Sequence, residues 1–99
     1  MSEWLECLVS PEQFTGEYSV CGKLFNGSEF SLFAPERDVR PLEDVTTEKP
    51  VKGWIHVLPG NVKDDLILVT LPQATFENGQ TISVRTSQLG TPPSDIVKS

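Results

Sequence analysis

The chain has one histidine, two cysteines, one methionine and eight basic residues in 99 positions. Each scarcity removes a class of chemistry. Cys7, Cys21 and His56 fit no zinc-ligand spacing, and three such residues cannot complete a four-ligand Cys/His site, so no metal or other cofactor is expected. A nucleophile needs an adjacent base, and Cys21 with His56 is the one thiol–imidazole pair available. Both residues also have an ordinary reading, as a packed thiol and a satisfied histidine. No export signal is visible: Met1-Ser2-Glu3-Trp4-Leu5-Glu6 carries acid where a signal peptide needs basic residues. The expected location is therefore cytoplasmic, where a reducing environment argues for two free buried thiols rather than a disulfide.

Basic charge is scarce as well as scattered. Eight Lys and Arg stand against fourteen Asp and Glu, a net charge of -6. All of the excess lies before residue 51. Nucleic-acid binding needs clustered cations to displace counterions from phosphate, and anionic membranes need the same, so neither partner is expected. The acidic half suits a solvated surface or a basic protein partner. Long apolar runs are missing too. Leu66-Ile67-Leu68-Val69 is far short of a membrane span. No phosphate-binding glycine loop is present, and Asp64-Asp65 and Glu43-Asp44 lack the spaced ligands of a calcium loop.

What the chain does have is short apolar strand patterns punctuated by turn signals: Phe25-Asn26-Gly27-Ser28, Gly60 to Asp65, and Glu77-Asn78-Gly79-Gln80. Asn-Gly between β-branched and aromatic residues marks a hairpin. Parity fixes the register of the first one. Tyr18, Val20, Gly22 and Leu24 share one face, and Phe30, Leu32 and Ala34 share another. A two-residue loop would set these faces on opposite sides of the hairpin. A three-residue loop of Phe25, Asn26 and Gly27 puts them together, with Gly27 in the left-handed position and Gly22 opposite the Phe30 ring.

Elsewhere, 4–9 is ambiguous between helix and strand, and strand is favoured because so short a helix would be marginal. The stretch from Pro35 to Pro50 is predicted as a long charged surface loop with one helical turn. A strand over 52–58 carries Ile55 and Val57 on one face and Trp54, His56 and Leu58 on the other. A second, over 66–71, should be central, with Pro72 as its stop. The residues from Gly90 on form a frayed tail.

The expected fold is all-β: one small antiparallel five-stranded barrel or half-open barrel over residues 1–89, resembling SH3-like or OB-like architectures in strand number and spacing. Such folds carry many functions. The favoured expectation is a non-catalytic protein–protein interaction module, an adaptor or accessory subunit, docking through Trp54, Phe25 and Phe33 beside the acidic half. A 99-residue barrel needs large core residues, so Trp54 reads first as core and only second as an interface anchor, and Phe14, Phe25 and Phe33 raise the same question. The alternative is a small-ligand-binding barrel or minor enzyme using Cys21 and His56.

Overall fold

A computed structural model of the chain describes residues 3–12, 16–46, 49–77 and 79–92. Phe14, Asn78 and residues 93–99 of the expected tail lie outside the described residues. The strands are β1 (Glu3–Pro11), β2 (Glu17–Lys23), β3 (Glu29–Pro35), β4 (Val39–Pro41), β5 (Val51–Lys63), β6 (Leu66–Thr75), β7 (Gly79–Arg85) and β8 (Leu89–Gly90). Two single 3-10 turns, Glu36–Asp38 and Thr86–Gln88, are the only helical pieces among the described residues.

All pairings are antiparallel, in the order β3-β2-β1-β5-β6-β7, with β4 added to β5 and β8 to β1. The sheet curls strongly into an open half-barrel, with one long strand more than the five expected. β5 makes the curl possible. Its first half pairs with β1 and β4, and its second half pairs with β6 after a register shift between Pro59 and Val62. An extra residue in one strand bends it and increases its twist, so one strand serves two walls.

Alternation decides the inside. Leu5, Val9, Val20, Phe30, Leu32, Ile55, Val57, Val69, Leu71 and Val84 are fully or almost fully buried, and the residues between them face out. The first hairpin has the register that parity requires. Tyr18 faces Ala34, Val20 faces Leu32 and Gly22 faces Phe30. The turn is the three-residue one, closed by Leu24 N–H to Ser28 O at 2.7 Å, with Gly27 at φ 88°. Gly22 must stay glycine, because a Cβ there would lie 2.5 Å from Phe30 Cζ. The 4–9 segment is strand.

Four details depart from expectation. The 35–50 connection contributes a strand: β4 pairs Val39 with Ile55, and Val39 is buried. Pro72 does not stop β6, which runs on to Thr75 because the ladder with β7 breaks its register between Thr70 and Thr75 and leaves proline no donor to supply. The Gly60–Asp65 turn narrows to Asp64-Asp65, since Val62 and Lys63 already pair with Ile67 and Leu66. Gly90, placed in the tail by the sequence, pairs with Trp4 in β8.

Candidate functional site

The first half-strands of the sheet fork. β1 pairs with β2 from Leu8 to Pro11, but with β8 at Trp4 and Leu5, on the same edge. Leu42 N–H donates to Lys52 O, so the even residues of β5 turn their main-chain groups away from β1 and the odd ones toward it. By the register, the odd residues of β1 face β5 and the even ones face β2 and β8. Trp4, Leu8 and Ser10 have ladder partners there; Glu6 has none among the described residues. Its N–H and C=O open into the fork. Gln88 crosses the gap, its Nε2 donating to Lys23 O at 2.9 Å.

A cleft of about 310 Å³ occupies this fork, walled by Trp54, Leu8, Leu42, Cys7 and Cys21, with Lys52, Lys23 and Glu29 at the rim. Trp54 is half-buried on the outer face between its cross-strand neighbours Glu6 and Arg40. Its indole packs so closely on Gly90 that a Cβ there would sit 2.9 Å from Cη2. The Trp54 Nε1–H is buried and has no hydrogen-bond acceptor among the described residues. An orphaned donor of this kind costs about 1–3 kcal/mol. Trp54 is thus not a core residue; it forms one wall of a cleft.

Both cysteines line this cleft without forming a reactive pair. Cys7 belongs to the inward set and Cys21 stands opposite Leu8 on the outward one. Burial, then Cys21 and Glu6, push the Cys7 thiol up to about 12. Burial also raises Cys21, with Glu29 and Glu77 adding to the effect and Lys23 opposing it. Both thiols are protonated near neutral pH, the inert state for a nucleophile. Cys21 is half-buried rather than buried.

His56 is elsewhere. It stands opposite Trp4, four residues along β1 from the partner of Cys21, roughly 13 Å away at strand rise. Its ring meets Trp4 at a tilt, centroids 5.2 Å apart, and its Nδ1 lies 3.6 Å from Asp38 Oδ1. The Arg40 guanidinium covers the other ring of this group, 5.0 Å from the Trp4 centroid. The structure does not bring Cys21 and His56 together.

Phe33 and Phe25 are also separate from Trp54. Phe33 faces outward from β3, with β2 and β1 between it and β5. It is 38% exposed and meets Phe76, 65% exposed, edge to face at 5.1 Å. Phe25 tips the first hairpin, more than a third exposed, and its N–H donates to Ser83 O at 3.0 Å. Phe76 reads from the sequence only as part of a short arm before the Asn78-Gly79 turn, not as a docking residue, because between a proline and a turn no periodicity marks its face.

The seam between β3 and the end of β6 is closed by side chains. Ser31 N–H and Oγ–H donate to Glu77 Oε1 and Oε2 at 2.8 and 2.7 Å, and Phe76 N–H donates to Ser31 O at 2.9 Å. The side-chain and then the main-chain hydrogen bond from Ser31 hold the Glu77 carboxyl below its ordinary value.

No protein-family model matches this chain, and the searches of curated proteins and of solved structures found no match either. Among the described residues no helix is long and apolar enough to cross a membrane.

Proposed function

We propose that this protein is a non-catalytic interaction module, an adaptor or accessory subunit acting in the cytoplasm, that docks another protein through its outward aromatic surface. The observation that carries this reading is the Phe33–Phe76 pair. The inward set already fills the core, and these two rings lie outside it, against each other across the β3–β6 seam. Aromatic side chains concentrate binding energy because they bury large area at low entropic cost. The net charge of -6 favours a basic partner over nucleic acid.

The test is affinity capture from cells of the source organism with wild type, Phe33→Ser, Trp54→Ala and Phe25→Ser, each variant checked for its melting transition. One or two specific proteins lost with folded Phe33→Ser support the reading. A wild type that retains nothing specific sinks it.

The fork cleft favours a second reading, a small-ligand site. Its volume sits at the lower end of ligand pockets, and Glu6 offers one donor and one acceptor beside apolar walls. A neutral amide-bearing apolar fragment that quenches Trp54 fluorescence would support it, and one that leaves the emission unchanged would count against it.

A further inference from the structure

We propose that the outer edge of β3 is a strand-accepting site, plugged in this structure by Phe76 and Glu77, whose occupant is an extended partner segment alternating apolar and basic residues. This specifies the interaction reading above and rests on it.

The register supplies the first step. Ser31 turns both main-chain groups away from β2, since both bond to residues 76 and 77. Main-chain direction alternates along a strand, so Phe33 turns its N–H and C=O to the same edge. Among the described residues no ladder partner meets them there; the end of β6 runs beside β3 unpaired and must swing aside with the plug. Pro35 ends the edge, having no N–H to offer, and Glu36 N–H is engaged by Gly16 O. The opposite free edge of the sheet is better covered. On β7, Ser83 O accepts from Phe25, and Arg85 N–H donates to Gln88 Oε1 at 2.7 Å.

The plug itself describes the ligand. Phe76 N–H occupies the place of an added strand's N–H, and Glu77 Oε1 the place of its carbonyl. The Phe76 ring occupies the place of an added strand's apolar side chain, against Phe33. A partner strand would exchange these bonds like for like at Ser31 and add two at Phe33. Strand addition of this kind takes affinity from the main chain and specificity from alternate side chains.

Charge selects the partner's polar positions. On β2, Cys21 lies within electrostatic reach of Glu77, Glu29 and Lys23, and on β3 Ser31 holds Glu77 directly. Lys23 is neutralised by Glu29 at 3.0 Å. Glu77, once displaced, and Glu36 at the end of the edge are carboxylates with no cationic partner among the described residues. Lysine or arginine on the partner meets them; aspartate or glutamate is repelled.

Two blocked peptides, acetyl-Lys-Val-Lys-Val-Lys-amide and its glutamate counterpart, are titrated into the ¹⁵N-labelled protein. The lysine peptide is expected to shift the Ser31 and Phe33 amides first, and the glutamate peptide to bind more weakly. Ser31→Ala loosens the plug without changing charge or main chain. It should bind the lysine peptide roughly three- to tenfold more tightly, the fold-change of one net hydrogen bond. Phe33→Pro, which an edge strand tolerates where its N–H points outward, should abolish binding while keeping the β circular dichroism of wild type. Shifts centred on Glu6 and Trp54, or no gain in Ser31→Ala, would overturn the edge site. So would a captured cellular partner that survives in folded Phe33→Pro, although the interaction reading would then stand. A wild type that binds neither peptide nor any cellular protein removes both.

Discussion

The two joints that give the sheet its curl are made differently. Where β1 meets β5, seven consecutive residue pairs run from Glu3↔Val57 to Val9↔Val51, and every inward position between them is core. Where β3 approaches the end of β6 and the β6–β7 turn, there is no ladder. A hydroxyl, a carboxylate and three main-chain groups hold the seam. A ladder backed by buried side chains opens only when the domain unfolds, whereas exposed side-chain bonds open locally at far lower free energy. One joint carries the stability; the other is where the molecule can admit something.

The sharpest break in that contrast comes from a cavity in the ladder joint. Ile55 is fully buried on β5 and faces Leu5 across the joint and Val39 on its other side. Ile55→Ala should cost about 2–5 kcal/mol, the range for emptying a packed core site of that size. Urea unfolding followed by tryptophan fluorescence reads the loss, which should appear as one cooperative transition shifted to lower denaturant. A loss under 1 kcal/mol would mean that the joint is looser than its ladder implies.

A smaller effect is expected on the β2–β3 hairpin, which borders the seam but is itself a ladder. Gly22→Ala places a methyl against the Phe30 ring, which is fully buried and cannot move away. Overpacking of this order costs about 1–3 kcal/mol. Gly27→Ala, at a positive φ with open space around it, tests conformation alone and should cost about 1 kcal/mol. If the two variants were equal, the fit of Phe30 over Gly22 would not be what fixes the hairpin.

How far this contrast could be read from the chain follows from the range of each signal. The first hairpin was legible to the residue, because parity of Tyr18, Val20, Gly22 against Phe30, Leu32, Ala34 leaves one loop length that buries both sets. The same alternation set Trp54, His56 and Leu58 on one face and Ile55 and Val57 on the other, but not which of the two faces out. The fork at Glu6 was not legible. It arises because β8, eighty-odd residues along the chain, takes the edge that β2 leaves, and a two-residue strand has no period to detect. β4 was hidden similarly, three residues inside a charged stretch. The Ser31–Glu77 latch joins positions 46 apart through polar side chains, and neither residue type signals a partner at that distance.

The seam is probed most gently with acid. In the folded protein the Glu77 carboxyl sits below its ordinary value near 4.5, because Ser31 donates to its charged form. Its contribution is therefore present above the unfolded value and is lost as pH falls through the folded one. Glu77 is fully exposed, so the effect on global unfolding is small. Amide exchange at Ser31 and Phe76 is the sensitive reading. In wild type, protection of these two amides, corrected for intrinsic rate, should decline below about pH 4.5, while that of the β1–β5 amides stays flat. Glu77→Gln has no carboxyl to titrate and should show the low protection at every pH. If the seam and ladder amides lost protection together, the two joints would be one cooperative unit, and the edge of β3 would open only on unfolding.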